Sequence, residues 1–285
     1  MLIDETEEKD MEKIKIQKNT VMETLVLPLY GRAYCSKNYS DIFPDKGAES
    51  LIDRIDYDFE HLDTNKLTTV VWAIRKRFLC DRAKAYLAKK PNATIVNLGC
   101  GADDSFPDVD NGKCRWINLD LPDIIEARKS LFTLREREKN APYSAFDTSW
   151  FDEVETAPED GFFVISGGVL MYFDDETVKG LFTALAARFP GGGICFDAEN
   201  QAGTDKSNKV LEKSGNTNKC LLVVDDAEKK FRPWSENFST ITTFDKLPEY
   251  VSKAKSIPFT TRKMVGMGMK MGYVKMVEIG FAEGK

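Results

Sequence analysis

The side chains best placed for chemistry lie within residues 93–120. An apolar run, Thr94-Ile95-Val96-Asn97-Leu98, ends in Gly99-Cys100-Gly101, and a second run, Arg115-Trp116-Ile117-Asn118-Leu119, ends in Asp120. The first run is β-branched and apolar enough for a central parallel strand. Two glycines leave the backbone bare at the sharp turn that follows, where a ligand can approach closely. A carboxylate about 20 residues past such a turn can accept hydrogen bonds from a ribose diol. The group predicts a nucleoside-binding crevice at the carboxyl ends of a parallel sheet. A tight strand-to-helix turn without a ligand is the alternative.

The residues after the turn narrow the choice of nucleoside. A dinucleotide site has the pattern Gly-x-Gly-x-x-Gly, whose third glycine lets a helix pack beneath a pyrophosphate. Here the third position is Asp104, next to Asp103. Two carboxylates repel a pyrophosphate, which disfavours a nicotinamide dehydrogenase. They tolerate a cationic ligand such as the sulfonium and amine of S-adenosylmethionine. The phosphate-loop pattern Gly-x-x-x-x-Gly-Lys-Ser/Thr is also missing from the turn. Cys100 sits in the turn without a histidine nearby in sequence to activate it as a nucleophile. His61 is the single histidine, so no multi-histidine metal site can form. Cys35, Cys80, Cys100, Cys114, Cys195 and Cys220 make no Cys-x-x-Cys pair and read as reduced core thiols, so no metal is expected.

Strands and helices must alternate to hold such a crevice, and the pattern of the chain agrees. Thr68–Ala88 carries Val71, Ile74, Phe78 and Ala85 at helical spacing, and Pro91 follows it. Ala48–Phe59 repeats apolar residues at helical spacing too, so residues 1–90 predict a helical cap, with 1–20 charged and frayed or weakly helical. Pro122 and Asp123 open a helix. Tyr143–Asp147 reads as a short strand ending in an acid, Gly161–Ser166 and Ile194–Ala198 as buried strands, and Asp174-Asp175-Glu176 as a helix start. Tyr273–Phe281 alternates like a final antiparallel strand. The fold expected is α/β, a doubly wound sheet with an antiparallel last strand. Residues 91–200 form its nucleoside-binding core and 241–285 its C-terminal end. Residues 201–240, polar and then aromatic, break the rhythm and read as an insertion or lid. Met264 to Met271 holds four methionines, for which core filling is the expected fate.

Composition sets outer limits. Apolar residues make up 42% and aromatic residues 11%, enough for a core, and the net charge of −6 offers no basic field for nucleic acid. No run approaches the ~18 apolar residues of a membrane span. The acidic N-terminus lacks an apolar signal core, so a cytoplasmic protein without membrane partners is expected.

Taken in order, these segments resemble the leucine carboxyl methyltransferase family, which includes polyketide-biosynthesis O-methyltransferases. The matching residues are Thr24–Ala33, Ile55–Phe59, Arg75, Ile95–Gly101, Asn118–Asp123, Gly168–Tyr172, Arg188–Gly191 and Phe196-Asp197. The resemblance runs from about residue 20 to residue 200 and is thin beyond. It implies a class I, Rossmann-like methyltransferase fold with S-adenosylmethionine as donor and S-adenosylhomocysteine as product. It also implies roles. Arg75, in the helix before the first core strand, would hold the donor's carboxylate, which a guanidinium can grip bidentately. Asp120 would take the ribose hydroxyls, and Gly99, Cys100, Gly101 and Leu121 would complete that contact. Asp147 would accept from the adenine amine with Phe146 against the ring; by sequence alone Asp147 is a helix cap for Thr148-Ser149-Trp150. Tyr30, Arg32 and Tyr172 would touch the acceptor or the donor's carboxylate. The family's glutamate before Gly-Val-Leu-Met-Tyr is Gly167 here, so either another acid, such as Asp103 or Asp104, covers the donor's amine or affinity for the donor is weakened.

No single catalytic residue stands out. A carboxylate acceptor is already ionised at neutral pH and needs no base, whereas a hydroxyl acceptor benefits from one. His61, in Phe59-Glu60-His61-Leu62-Asp63, reads as an exposed loop residue rather than a base. The expectation is an O-methyltransferase acting on a carboxylate or acidic hydroxyl of a small, polyketide-like molecule or on a peptide carboxyl end. Because Gly167 replaces an acid, a catalytically silent S-adenosylmethionine-binding protein, a sensor or partner module, is the alternative.

Overall fold

The computed structural model describes residues 13–15, 21–57, 59, 66–157, 159–213 and 217–284. His61 and nearly all of the segment 1–20 lie outside them. β1 (Ile14–Lys15) pairs in parallel with β2 (Ile55–Asp56), and α1 (Val21–Asn38) and α2 (Lys46–Asp53) lie between the two. The helix expected over 48–59 therefore stops at Asp53. Buried Ile55 has joined a strand pair, a tertiary contact that outweighs its helical spacing. Asp45 caps α2 by accepting from Ala48 N at 2.9 Å. α1 packs on α3 (Lys66–Leu87) at Gly31, where a Cβ would stand 2.5 Å from Trp72 Cε3.

From α3 onward strands and helices alternate. β3 (Thr94–Leu98), α4 (Phe106–Val109), β4 (Arg115–Asp120), α5 (Pro122–Leu131), β5 (Glu138–Pro142), β6 (Phe162–Ser166), α6 (Asp175–Arg188) and β7 (Gly193–Ala198) follow one another. α7 (Gln201–Lys213), α8 (Ala227–Phe231), β8 (Phe238–Phe244), α9 (Glu249–Ser252), α10 (Phe259–Lys270) and β9 (Lys275–Phe281) complete the chain. The seven-stranded sheet has the order β5-β4-β3-β6-β7-β9-β8. Its first five strands are parallel, and β9 runs antiparallel between β7 and β8. Every residue of β3, β6 and β7 is buried, as sheet strands covered on both faces require.

Register is what builds the crevice. Leu98 pairs with Leu119 on one side and Ser166 on the other, and Ser166 pairs with Phe196. The chain therefore leaves β3 and β6 at one level, with β4 running one residue further to Asp120 and β7 two further to Asp197 and Ala198, and the turn residues meet along one edge. The order of the sheet reverses between β3 and β6, the place where doubly wound sheets open a crevice.

The third strand lies earlier than Tyr143–Asp147. β5 occupies Glu138–Pro142 because β4 offers partners only there: Trp116 faces Glu138 and Asp120 faces Pro142. Past Pro142 no ladder remains, and Tyr143 N turns back to Ala141 O. The segment read as an insertion or lid splits in two. Its aromatic half, with Leu222, Val224, Phe231 and Phe238, is buried in the same core as Val96, Val164 and Phe196. The methionine run divides as well: Met269 is buried, whereas Met264, Met267 and Met271 are exposed on or beside α10. All six cysteines are buried free thiols.

Candidate active site

Three side chains from three elements hold the glycine turn after β3. Gly99 and Gly101 have φ of +70° and +49°, a region that side-chain-bearing residues enter only with strain. Gly99 N and Cys100 N donate to Leu119 O of β4. Asp120 accepts from Gly101 N at 2.8 Å, and buried Arg128 of α5 donates to Gly101 O at 2.9 Å. Arg32 of α1 donates to Ala102 O at 2.9 Å and pairs with Asp45 at 3.2 Å. The turn is therefore fixed before any ligand arrives. On their outer sides the two glycines meet side chains: a Cβ at Gly99 would stand 2.2 Å from Val169 Cγ2, and one at Gly101 would stand 3.0 Å from Leu25 Cδ2. Cys100 is buried and its thiol is pushed up to about 12 by burial, so it is not a nucleophile at neutral pH.

At the tip of β4, Asp120 also accepts from Leu121 N at 2.8 Å. Burial raises its proton affinity, and the two backbone amides work against that. Two amide bonds leave about two of a carboxylate's four lone-pair positions for hydroxyl donors. Leu121 beside it is 48% exposed, an apolar side chain presented at a strand tip. Four residues past the end of β5, Phe146 packs on Phe173 with ring centroids 4.3 Å apart. Asp147 is exposed and accepts from Ser149 N at 3.0 Å, the helix-cap arrangement, with hydrogen bonds from Ser149 holding its carboxyl below the usual range.

The tips of β6 and β7 meet Arg75. Its Nη1 donates to Asp197 Oδ2 at 2.9 Å, and Asp197 Oδ1 accepts from Gly168 N at 2.7 Å. The side chains are 17% and 10% exposed. Gly167 and Gly168 make room for the arginine: a Cβ would lie 3.3 Å from Arg75 Nε at Gly167 and 2.8 Å from Nη1 at Gly168. The position left without a carboxylate by Gly167 thus faces a guanidinium whose carboxylate partner comes from β7. Asp103 and Asp104 both have partners within the chain. Asp104 is held by Arg135 through two bonds of 2.9 Å, and Asp103 accepts from Asn97 and Ser105. Ser105, Asn97 and Lys76 place Asp103 on the α3 face of the turn, where Lys76 also pairs with Asp45 and Asp108. A cavity of about 260 Å³ beyond it is lined by Phe43, Ala73, Lys76, Arg77 and Cys80 and by none of the strand-tip residues.

The structure thus brings Arg75, Gly99, Gly101, Asp120, Leu121 and Gly167 to one edge of the sheet. Tyr172 follows on the short 3-10 turn after β6, with burial raising its hydroxyl's pKa. Tyr30 stacks on Phe59 at 5.1 Å, and Arg32 braces the turn from below. The pairing of Asp197 with Arg75, and Glu199, which sits just past β7, are not visible in the motifs. The signal present was Asp197-x-Glu199, two acids at period 2 on one face at the carboxyl end of a strand.

A family model for leucine carboxyl methyltransferase matches residues 26–186, more than half of the chain. The protein belongs to the leucine carboxyl methyltransferase family. It is 30% identical to the tetracenomycin polyketide synthesis O-methyltransferase TcmP of Streptomyces glaucescens, over 64% of this chain and 67% of that one. It is 24% identical to the S-adenosyl-L-methionine-dependent methyltransferase dpfgK of Gibberella zeae, over 71% and 74% of the two chains. Among solved structures, a protein of Thermobifida fusca YX assigned as a methyltransferase shares the fold with a TM-score of 0.54 at 14% identity, covering 96% of this chain and 97% of that one. This family member is a methyltransferase with S-adenosylmethionine as its donor, built on the class I fold. Among the described residues no helix is long and apolar enough to cross a membrane.

Proposed function

We propose that this protein transfers the methyl group of S-adenosylmethionine to an oxygen, a carboxylate or an acidic hydroxyl, of a small polyketide-like molecule. The observation that carries the donor site is Asp120, fixed at the tip of β4 by Gly101 N and Leu121 N with lone pairs left for a ribose diol. The donor's chemistry suits the rest of the edge. Exposed Leu121 offers an apolar face for a base, and Phe146 and Asp147 lie in the loop that follows adjoining β5. Arg75 offers a guanidinium for the donor's carboxylate, and Asp197 offers negative charge beside it for the donor's cationic amine. Once bound, the donor supplies an electrophilic methyl carbon on a leaving sulfonium. The protein's part is then to align two reactants and exclude water. Oxygen as the acceptor atom, and a polyketide-like acceptor, rest on the likeness to the tetracenomycin enzyme.

Calorimetry with S-adenosylmethionine and S-adenosylhomocysteine tests the reading. Wild type binds both, and Asp120→Ala loses at least about tenfold in affinity, the ~1.4 kcal/mol expected when hydrogen bonds to a charged group vanish. An unchanged dissociation constant in Asp120→Ala removes the site as described. The second reading, a donor-binding module without activity, draws on Arg75 being occupied by Asp197. Tight donor binding with no labelled methyl passing to any acceptor would favour it.

A further inference from the structure

The outward side of α10 is a seam that nothing in the fold covers. Val265 and Met269 turn inward and are buried in one cluster with Val70, Ala73 and Ile74 of α3. Met264, Met267 and Met271, at i, i+3 and i+7, turn the other way and are 58%, 54% and 49% exposed. At 3.6 residues per turn, with Thr260 one turn before them, they form a strip about 60° wide. Exposed Lys263 and Lys270 run along one flank. Gly268 lies on the other, where an added Cβ would meet nothing within 4 Å. This is the pattern of one half of a helix pair: apolar a and d positions, charge of one sign at g, and room at e.

The charge of the region says what covers it. Residues 246–271 hold six basic residues, Lys246, Lys253, Lys255, Arg262, Lys263 and Lys270, against the single acid Glu249, in a chain of net charge −6. Arg262 is used within the fold, donating to Ile257 O at 3.1 Å and to Ser252 O at 2.5 Å, and Lys253 pairs with Glu249. Lys246, Lys255, Lys263 and Lys270 form no ion pair with any described residue. Two copies of this helix paired antiparallel would set lysine against lysine. A lipid surface takes a broad face rich in Trp, Phe and Leu. Here the strip is narrow and made of methionine, with one aromatic residue, Phe259, beside its first turn. Methionine, unbranched and polarizable, suits a surface that adapts to a peptide.

We propose that this strip docks a second protein through an acidic amphipathic helix. The partner's apolar side chains sit among the methionines and over Gly268, and its carboxylates face Lys263 and Lys270. A 12-residue helix offers about 18 Å of contact, which suits a transient complex rather than a permanent one. The strip ends at the edge of the sheet that carries the strand tips: Met271 O and Gly272 O accept from Asn200 Nδ2 and N at 2.7 and 2.9 Å, two residues past β7. The docked partner therefore stands beside that edge. The inference does not depend on the donor site.

The test titrates the full-length protein with a three-heptad synthetic peptide carrying Leu at a and d and Glu at e and g, and with its twin carrying Lys in place of Glu. Methyl spectra of methionine-labelled protein should show the signals of Met264, Met267 and Met271, assigned by single substitution to Leu, moving with the acidic peptide, and that of buried Met269 moving less. Affinity should fall at least about tenfold between about 0.05 M and 0.5 M salt. Lys263→Glu with Lys270→Glu should weaken binding at least about tenfold, and Met267→Glu likewise. Circular dichroism and thermal midpoints of these variants should stay close to wild type, because the altered side chains are exposed. Equal binding of the two peptides, binding that ignores Lys263→Glu with Lys270→Glu, or no binding at all would overturn the proposal. So would binding to vesicles of phosphatidylserine and phosphatidylcholine without binding to the peptide, which names a lipid surface, or self-association that Met267→Glu abolishes, which names a second copy.

Discussion

Arg75→Met and Asp197→Asn, alone and together, measure the contact on which the strand-tip geometry depends. Exposed ion pairs contribute about 0–1 kcal/mol. This one is 17% and 10% exposed at its two side chains and has a 2.9 Å charge-assisted bond, so it belongs nearer the 1.5–3 kcal/mol of hydrogen bonds to charged groups. Asp197 also holds Gly168 N at 2.7 Å, a bond that asparagine keeps through its carbonyl oxygen. Asp197→Asn should therefore cost about 2 kcal/mol, for the lost charge alone. Arg75→Met keeps the aliphatic stem against Gly167 and leaves a nearly buried carboxylate with a single backbone donor, at about 2–3 kcal/mol. The double variant should cost about 2 kcal/mol less than the sum, since each single change already breaks the same bond. Urea unfolding with a common m-value reads all four proteins. Additivity within about 0.5 kcal/mol would refute the pairing. Arg75 would then be a solvated helix arginine.

Gly99→Ala should destabilise the fold by roughly 3 kcal/mol or more, because φ is +70° and the new Cβ would stand 2.2 Å from Val169 Cγ2; denaturant midpoints check it, and adding Val169→Ala should recover only the steric share. Glu199 makes stability depend on pH in a direction opposite to most carboxyls. Its folded pKa of about 7 exceeds the ordinary 4.5, so the folded state binds the proton more tightly. The stability this contributes is complete below about pH 4.5 and is lost as pH rises through about 7, amounting to about 3 kcal/mol. Thermal unfolding of wild type and Glu199→Gln from about pH 5 to pH 8 should show the variant gaining by that order of magnitude; parallel curves would mean that Glu199 titrates normally.

How much of this was legible in the sequence depended on whether a residue's neighbours along the chain decide its fate. β3 and β4 are covered on both faces, so their apolar runs, the glycine turn and the terminal Asp120 announce themselves in order. The class of fold follows from that stretch and the alternation after it. β5 does not announce itself. Its sequence Glu-Lys-Asn-Ala-Pro is polar, and only the ladder offered by β4 makes it a strand, so the more apolar Tyr143–Asp147 drew the prediction away. The same distinction runs through the site. Asp120 meets Gly101, 19 residues away, within one strand–turn–helix–strand unit, and spacing alone was enough to pair them. Arg75 meets Asp197 across 122 residues. Gly167, read by itself, removes an acid from the donor's surroundings. It cannot disclose that the arginine it makes room for is matched by an acid on the next strand of the chain. The balance of charge at the crevice is a property of the assembled sheet edge, and sequence shows its members without showing that they meet.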